Sequence, residues 1–428
     1  MQRIQVKDLK TNIGKTVTIA GFVHSLRNQG KIAFIRLRDE SGSVQVVILG
    51  SNVAAFTVIK SLTTESIIAI VGLTKETKQT PEGFEVECKS IEVLSFADSA
   101  LPIPVAEEKG AGEVDVTNRF DWRWLDLRKK DSHKIFRVWT VLEQGIREYF
   151  DKNGFTQIYS PALMSVASES GAEVFEVKYF ETRAYLAQSP QFYKQMAMAS
   201  GFEKIFMVGP VFRAELSFTT RHMTEFTGWD FEMAYIDSHH DIMDSEEAML
   251  KSGFAKLKKA GLIDEEIKIP FVRITLSDAK AKLKAAGIVS EKLGDLSPDE
   301  ERGICKIIKE ETGSDFVFIM DYPPATRAFY HMRDETTGLT KGFDLLYKGV
   351  EITTGAQREH RYEILVKQAA EKGLTKESLS DYLKFFKYGC PPHGGVGIGP
   401  GRIVAQILDL ASVKEATFLP RDVKRLRP

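Results

Sequence analysis

Arg213 and Glu215 stand two residues apart, and a polar loop with Arg221 and His222 separates them from a second apolar stretch. If the segment is strand, loop and strand, side-chain alternation puts Arg213 and Glu215 on one face of the first strand. The second strand then has one face with an aromatic ring, a glycine and two carboxylates: Phe226, Gly228, Asp230 and Glu232. This set suits a nucleotide and a charged amino acid. A buried ion-paired hairpin is the alternative, because charge clusters mark sites only statistically.

A second polar segment runs from Gln188 to Lys194. Pro190 is predicted to end a strand and Gln191 to open a helix. Ser189 and Gln191 can hydrogen-bond an ammonium group, and Lys194 can pair with a carboxylate. A helix cap followed by a solvated lysine is the alternative interpretation.

Asp344 and Glu351 flank a predicted hairpin with its tight turn at Lys348-Gly349. If residue 347 pairs with 350, then 344 opposes 353, and both carboxylates project from one face. Hard oxygen ligands placed in this way suit Mg²⁺ between ATP phosphates, and Thr354 would add a hydroxyl. A surface hairpin with two acids is the alternative.

Two further arginines follow in the C-terminal part of the chain. Arg358 can grip a carboxylate through two parallel hydrogen bonds, and a neutral amide in its place would leave a buried cation unpaired. Arg402 ends the glycine-rich stretch that begins at Gly397. Glycines permit a close backbone approach to a nucleotide, and Arg402 can stack on adenine or meet a phosphate.

Composition indicates a globular protein of two or three domains. The chain has 428 residues, 43% apolar and 27% charged, with a net charge of −1. This balance excludes a simple polybasic nucleic-acid binder. The three cysteines show no metal-ligand spacing, which is typical of reduced thiols. We predict a cytoplasmic protein without membrane spans, because no apolar run approaches 18 residues.

Residues 1–100 are predicted to form a five-stranded β-barrel of the OB type. Apolar alternation places the strands at Thr16–His24, Ile32–Arg38, Val44–Leu49, Ser66–Leu73 and Phe84–Leu94. The predicted outward face combines aromatic rings, cations and an amide: Phe22, His24, Phe34, Arg36, Arg38 and Gln45. Bases can stack and phosphates can pair on such a face, so we favour single-stranded nucleic-acid binding over burial beneath a loop.

The proline- and glycine-rich segment 101–130 is predicted to be a linker, and residues 131–428 a second domain. A helix from about Lys130 should end at Asn153-Gly154, where glycine suits the C-cap. The segment around Arg213–Asp230 resembles motif 2 of the class II aminoacyl-tRNA synthetases. The segment from this helix to Pro161 resembles motif 1, and the segment Gly397–Arg402 resembles motif 3.

Across nearly its whole length, the chain resembles the archaeal-type aspartyl branch of class IIb. The resemblance implies an α+β fold with an antiparallel catalytic sheet flanked by helices, and a homodimer. It implies activation of L-aspartate with ATP to aspartyl-adenylate, followed by transfer to the 3′ end of the aspartate tRNA. Mg²⁺ is the implied cofactor. No protein nucleophile is required, because positioning and charge stabilisation supply the catalysis.

The resemblance also implies residue roles. Arg213 and Arg402 are the implied catalytic residues. Aspartate would be held by Glu169, Ser189, Gln191, Lys194, Asp230 and Arg358. ATP would be held by Arg213, Glu215, Arg221, His222, Phe226, Glu351 and Arg402, and the metal by Asp344, Glu351 and Thr354.

In this family the barrel binds the anticodon, where Phe34 and Gln45 match the positions that contact the central bases. His24 and Pro81 resemble the relaxed members, which charge the asparagine tRNA as well, whereas strict members tend to have Trp and Lys. The aspartate and asparagine tRNAs differ in the third anticodon base, and the shape and charge of the pocket would decide whether both bases fit. An ordinary strand histidine and a turn-forming proline are the alternatives.

Three rival functions remain open at this point. The asparaginyl branch is close in sequence. A related amidating enzyme makes asparagine through the same adenylate, but lacks the barrel. A non-catalytic paralogue would have little need for the charged set. Ser168, Ser170, Pro400 and Gly401 depart from the family pattern, and the Pro400-Gly401 pair puts the placement of Arg402 in doubt.

Overall fold

The computed structural model describes residues 2–106, 114–129, 132–166, 173–217 and 219–427. The chain divides into two compact units, residues 1–133 and 134–428. Within the described residues, no helix has the length and apolar character needed to cross a membrane.

The first unit contains the predicted barrel. Five strands close it in the order β1-β2-β3-β5-β4: β1 Thr16–Asn28, β2 Ile32–Asp39, β3 Gly42–Leu49, β4 Ile67–Glu76 and β5 Phe84–Ser95. Helix α1 (Val53–Ile59) follows β3. Alternate residues such as Ile19, Ile35 and Leu37 are fully buried inside. The predicted strand alternation is therefore confirmed.

The segment predicted as an aperiodic linker contains two short helices, α2 (Val116–Asp121) and α3 (Arg123–Asp126). The Asp115 side chain caps α2. The buried carboxylate of Asp126 accepts hydrogen bonds from Arg119 and Arg123 and also pairs with Lys129. These charge-assisted contacts order a stretch whose apolar pattern is too weak to predict a helix.

One predicted outward aromatic of the barrel is covered. The guanidinium of Arg128 lies 4.5 Å from the ring centre of Phe22 and also pairs with buried Glu65 at 3.2 Å. Arg38 reaches the same ring and the same carboxylate. Phe22 and Arg38 therefore belong to an internal cluster of this unit, and the predicted open face is smaller than the sequence suggested.

The second unit is built on a mixed sheet of eight strands in the order β12-β13-β14-β15-β16-β11-β10-β6. Pairing is antiparallel except at β12/β13 and β10/β6. Their bounds are β6 Thr156–Gln157, β10 Lys204–Phe212, β11 Glu225–Ala234, β12 Val272–Thr275, β13 Phe316–Met320, β14 Gly342–Tyr347, β15 Val350–Arg358 and β16 His393–Ile398. A small second sheet contains β7 Leu163–Met164, β8 Glu176–Tyr179 and β9 Thr182–Leu186. The predicted α+β class is confirmed.

Helices pack against this sheet. They are α4 Ser132–Lys152, α5 Gln191–Ala199, α6 His239–Lys259, α7 Leu276–Ala285, α8 Pro298–Thr312, α9 Tyr362–Glu371, α10 Ser380–Lys387 and α11 Pro400–Ile407. Gly154 follows α4 with φ +73°, as the Asn153-Gly154 cap predicted. Gly145 of α4 and Gly253 of α6 allow these helices to cross closely, since a Cβ on Gly145 would lie 2.8 Å from the Gly253 Cα.

Two strand predictions need correction. β10 ends at Phe212, so Arg213 and Glu215 lie in the loop beyond it. In the hairpin, Leu346 opposes Glu351 but Leu345 opposes Thr353, so Ile352 is an extra residue in β15. This β-bulge places Asp344 opposite Thr354, whereas uninterrupted pairing predicted residue 353.

Candidate functional site

One cavity of about 790 Å³ lies on the face of the sheet at strands β11, β15 and β16. The helix α5 start, the loop after β10, α11 and the C-terminal segment supply its other walls. Its lining gathers residues that are far apart in the chain and that the sequence singled out: Ser189, Gln191, Arg213, Glu215, Arg221, His222, Phe226, Asp230, Glu351, Thr354, Arg358 and Arg402. Glu169 lies outside the described residues.

A cation and an aromatic ring face each other at one side of the cavity. The guanidinium of Arg213 lies 5.4 Å from the ring centre of Phe226 and 3.7 Å from a carboxylate oxygen of Glu215. The Arg213 side chain is 44% exposed, so it can leave this loose pair for a phosphate. At this distance Arg213 itself covers the Phe226 ring, so a planar base can stack on Phe226 only after Arg213 moves toward a phosphate.

The loop tip is tied to the helix α8 and to the hairpin. Arg221 donates to Glu301 at 2.8 Å and to the Gly349 carbonyl at 2.9 Å. The Nδ1 of His222 lies 2.6 Å from the Thr219 hydroxyl. Burial lowers the pKa of His222, and the charge of Arg402 lowers it further, so the ring is neutral at pH 7.

Two carboxylates and two cations form a buried cluster at the opposite end. Lys194 lies 2.8 Å from Asp230 and 3.4 Å from Glu232. The Nε of Arg358 lies 3.0 Å from Glu232, and another nitrogen donates to the Gly395 carbonyl at 2.9 Å. Gly395 permits this approach, because a Cβ there would lie 2.1 Å from the Glu232 carboxylate.

The location of Lys194 differs from the prediction. Its side chain is 1% exposed, and it lies one layer below the lining, where it also donates to the Val396 carbonyl at 3.1 Å. Its direct contacts are therefore with Asp230, Glu232 and the Val396 carbonyl, and its contact with a substrate carboxylate stays a prediction. The sequence could not show this, because Asp230 and Lys194 meet only through the packing of α5 on β11.

The cluster shifts both carboxylate pKa values. Burial raises the pKa of Asp230, and Lys194 opposes that shift. Burial also raises the pKa of Glu232, but the charges of Arg358 and Lys194 outweigh it and hold the pKa below its ordinary value. Glu232 is thus a fixed anion that orients two cations, while Asp230 faces the cavity.

Two cavity residues have buried polar nitrogens without a hydrogen-bond partner in the described structure, the Nε2 of Gln191 and the Nδ1 of His331. Buried donors without partners are costly in a folded protein, so they mark places for a ligand or water. An amide nitrogen donates, so the Nε2 of Gln191 suits a carboxylate or carbonyl oxygen. Its Oε1 suits the predicted ammonium.

The bulged hairpin presents two oxygen-bearing side chains that could bind a metal ion, Glu351 and Thr354. The Thr354 hydroxyl donates to the Glu351 carboxylate at 3.2 Å, and Arg402 donates to the Glu351 carbonyl at 2.8 Å. Both Glu351 and Thr354 line the cavity. One carboxylate and one hydroxyl fit Mg²⁺, which keeps several waters and takes its remaining ligands from phosphates.

Asp344 does not join them. It is fully buried, makes two hydrogen bonds with Arg327, at 3.0 and 2.5 Å, and is absent from the cavity lining. The prediction that Asp344 binds the metal directly is therefore corrected: the bulge breaks the alternation on which that prediction depended. Arg327 occupies both of its carboxylate oxygens.

Sequence reasoning missed several walls of the cavity. Tyr330 and His331 lie beside Arg358, and Phe136 and Trp139 of α4 face the C-terminal residues Phe418, Leu419 and Arg421. The sequence analysis predicted this helix but gave it no place in the cavity. Sequence patterns over a few residues cannot show that a helix at the start of the second unit and a segment at its end form one wall of a cavity.

On the barrel, the four predicted anticodon residues have mixed surroundings. Phe34 and Gln45 are half-buried on neighbouring strands, and Gln45 donates to Glu85 at 3.0 Å. The Nδ1 of His24 lies 2.9 Å from Arg38, and burial followed by Arg38 lowers the pKa of His24. Pro81 is exposed in the turn before β5.

Comparison with protein families accounts for both units. Residues 115–423 match the family described as class II tRNA synthetases (D, K and N). Residues 17–94 match the OB-fold nucleic-acid-binding domain family. The chain therefore belongs to the class II aminoacyl-tRNA synthetases, and it is a ligase that charges tRNA. This confirms the predicted family, fold and enzyme class.

Within that class, relatives that match over nearly the whole chain include enzymes named for aspartate. The aspartate–tRNA(Asp/Asn) ligase of Methanopyrus kandleri is 41% identical over 97% of this chain and 96% of its own. The enzyme of the same name from Thermus thermophilus is 39% identical over the whole of both chains. The solved asparaginyl-tRNA synthetase of Pyrococcus horikoshii, complexed with asparaginyl-adenylate, has a TM-score of 0.91 and 31% identity over both chains.

Proposed function

We propose that this chain is an aspartate–tRNA ligase that forms aspartyl-adenylate from L-aspartate and ATP and passes the aspartyl group to tRNA. One aspartate carboxylate oxygen attacks the α-phosphorus of ATP, and pyrophosphate leaves. The terminal adenosine hydroxyl of tRNA then attacks the adenylate carbonyl, and AMP leaves. Both steps need bound reactants held in line and developing charge stabilised.

The observation that carries the choice of aspartate is the buried end of the cavity. Arg358 is 3% exposed there, with Lys194 just beneath the lining and Asp230 facing the space. The substrate ammonium would meet Asp230, Ser189 and Gln191, with Glu169 as a further proposed contact. The substrate side-chain carboxylate would meet Arg358. A neutral asparagine side chain would compensate this buried cation less well.

The rest of the cavity fits ATP. Arg213 would hold the α-phosphate, Phe226 the adenine, and Glu215, Arg221, His222, Glu351 and Arg402 the remainder of the nucleotide. Arg213 and Arg402 would stabilise the charge that develops as pyrophosphate leaves. Bound Mg²⁺ supplies charge neutralisation for the phosphates, and Glu351 and Thr354 are the residues that would hold it.

Asparagine is the second candidate substrate, because the structure is also similar to an asparaginyl-tRNA synthetase over its whole length. ATP–pyrophosphate exchange with each amino acid separates the two. We expect aspartate to support exchange at least about a hundredfold more efficiently, as a buried charge pair implies. Faster exchange with asparagine would overturn the assignment, and exchange with neither would favour a non-catalytic paralogue.

We propose relaxed tRNA specificity, supported by His24 and Pro81 and by relatives named for both tRNAs. Aminoacylation of the two purified transcripts with labelled aspartate should charge both the aspartate and the asparagine tRNA. Charging of the aspartate tRNA alone would remove the relaxed assignment and leave the synthetase in place.

We further propose that the enzyme works as a homodimer in the cytoplasm, where its tRNA substrates are found. Exposed apolar side chains near the motif 1 strand, including Tyr159 and Leu163, support a covered face in the second unit. Light scattering of the purified full-length chain should give twice the chain mass, and a monomer at micromolar concentration would contradict the dimer.

A further inference from the structure

Strand β16 holds both of the cations at the buried end of the cavity. One nitrogen of Arg358 donates to the Gly395 carbonyl at 2.9 Å, and the ammonium of Lys194 donates to the Val396 carbonyl at 3.1 Å. Both carbonyls belong to β16, which lies between β15 and β11 in the sheet. The placement of the two cations therefore depends on the position of the β16 backbone as well as on the carboxylates that they meet.

A chain of buried hydrogen bonds reaches the first residue of this strand from two helices. The hydroxyl of Tyr382 in α10 lies 2.9 Å from the Oε1 of Gln195 in α5. The Nε2 of Gln195 lies 3.0 Å from the Nε2 of His393, and the Nδ1 of His393 lies 2.7 Å from the Pro391 carbonyl oxygen. Tyr382, Gln195 and His393 are all buried, and none of the three lines the cavity. We call these three side chains the β16 relay.

The direction of each hydrogen bond in the β16 relay follows from its inner end. A carbonyl oxygen can only accept, so the Nδ1 of His393 carries a proton. Burial lowers the pKa of His393 to about 4, so the ring is neutral at pH 7 and its Nε2 accepts. The amide nitrogen of Gln195 therefore donates to the ring, and the amide oxygen accepts from the Tyr382 hydroxyl. Each of these buried atoms has a suitable partner, which favours one rigid arrangement.

The β16 relay is connected to the two cations by two routes. His393 lies directly opposite Arg358 in the antiparallel pairing of β15 and β16. Gln195 directly follows Lys194 in α5. The hydrogen bond between Gln195 and His393 thus joins the helix that carries one cation to the strand that pairs with the other. A shift of β16 relative to α5 would move both carbonyl acceptors, because they belong to the same strand as His393.

We propose that the β16 relay positions the cations with which the enzyme distinguishes aspartate from asparagine. Its side chains fix the start of β16 against α5, so that the carbonyls of the strand hold Arg358 and Lys194 in place for the substrate's side-chain carboxylate. Tyr382, Gln195 and His393 are positioning residues, because they act through these cations and lie outside the cavity lining. The inference rests on the proposed choice of aspartate, and it adds that specificity depends on residues behind the cavity.

ATP–pyrophosphate exchange on the full-length protein, with aspartate and with asparagine, tests the β16 relay. Gln195→Met keeps the length of the side chain and removes both of its hydrogen bonds. We expect this variant to raise KM for aspartate about tenfold, as the misplacement of a hydrogen bond to a charged group implies. The ratio of kcat/KM for aspartate to kcat/KM for asparagine should fall by a similar factor, whereas KM for ATP should stay within about twofold of the parent value.

The aspartate-to-asparagine ratio separates positioning from folding. Loss of stability lowers the amount of folded enzyme and reduces both activities equally, so a structural role alone would leave the ratio unchanged. Tyr149→Phe is the matched control, because it removes a tyrosine hydrogen bond of the same 2.9 Å length, to Ser245, outside the cavity lining. We expect Tyr149→Phe to lower the unfolding temperature without changing the ratio.

Tyr382→Phe decides if Gln195→Met does not fold, since it removes only the outer hydroxyl of the relay, and it should lower the ratio about threefold. A parental ratio in the folded relay variants, with a parent enzyme that prefers aspartate, would overturn the positioning role and leave the proposed substrate in place. A parent enzyme that prefers asparagine would instead overturn the proposed substrate, and with it the role proposed for the relay.

Discussion

Four charged side chains at the buried end of the cavity compensate one another's charges and are almost fully shielded from solvent. Lys194 and Arg358 supply two positive charges, and Asp230 and Glu232 supply two negative ones. Removing one member of such a set leaves a buried charge uncompensated, which is far more costly than losing a surface pair. Specificity for a charged substrate and stability of the empty protein therefore depend on the same residues.

Arg358→Gln should reduce kcat/KM for aspartate by about a hundredfold or more, because about 3 kcal/mol is typical for breaking a buried charge pair. KM for ATP should change little. Pyrophosphate exchange at varied aspartate and ATP concentrations measures both. Arg361→Gln is the control: this arginine is 36% exposed, pairs with Glu359 and Glu335, and lies outside the cavity lining. Equal losses in the two variants would contradict a direct role for Arg358.

At this scale the sequence predicted residue types better than residue contacts. Twelve of the fifteen residues that it singled out in the second unit for aspartate, ATP and metal line one cavity, because their types report chemistry that a core does not need. Glu169 lies outside the described residues, and Lys194 and Asp344 are the exceptions. Each is engaged by a partner distant in sequence, Asp230 and Arg327 respectively, and no spacing rule includes such a partner.

The elements that hold the site are regular strands interrupted where the chemistry lies. β10 ends before Arg213, and β15 is bulged before Thr354. Alternation along a strand predicts side-chain direction only while regular pairing continues. Because both strands are interrupted, the predicted directions of Arg213 and Asp344 were wrong. Helix α6 begins with a capping box at Ser238 and Asp241 and then carries Glu246 under the sheet. Its capped start and apolar face could be predicted, but the burial of Glu246 where α6 packs against β15 could not.

The buried acid on α6 gives the enzyme a pH-dependent stability. An unfolded carboxyl ionises near its ordinary pKa of 4.5, whereas the pKa of Glu246 in the folded protein is about 8. The folded state therefore binds the extra proton, and its relative stabilisation is present below pH 4.5 and is lost as pH rises toward 8, by at most about 1.4 kcal/mol per unit.

Glu246→Gln removes this titration. Thermal unfolding of the parent and the variant should therefore diverge between pH 5 and 8, with the variant gaining relative stability as pH rises. Glu266→Gln, at an exposed acid paired with Lys258, serves as the control and should run parallel to the parent protein. Parallel curves for Glu246→Gln would show that Glu246 is ionised in the folded state.

The whole molecule consists of two units with separate hydrophobic cores. Adenylate formation is proposed to need only the cavity of the second unit, and tRNA selection is proposed to need the barrel face as well. The closed barrel was predictable from five alternating strands. The cluster of Arg38, Arg128 and Glu65 over Phe22 was not, because it depends on the path of the segment that follows the barrel.

Phe34→Ala should therefore separate the two activities. Loss of one base-stacking contact, worth about 1–3 kcal/mol, should raise KM for tRNA by about tenfold or more. Pyrophosphate exchange without tRNA should be unchanged. Phe96→Ala removes a 60% exposed aromatic after β5 and is the control, with a parental KM for tRNA. A fall in exchange activity for Phe34→Ala would mean that this residue supports folding instead.

The wall formed by Phe418, Leu419 and Arg421 has a practical consequence for anyone handling the enzyme. The backbone carbonyl of Arg421 accepts a hydrogen bond from the Thr224 amide, which fastens this segment to the loop that carries Arg213 and Arg221. Within the segment itself, Lys414 pairs with Asp422 at 2.6 Å. Proteolytic cleavage just before Phe418 would therefore remove one wall of the cavity and leave the hydrophobic cores of both units in place. Preparations of the enzyme should therefore be checked for cleavage at this segment before their adenylate-forming activities are compared.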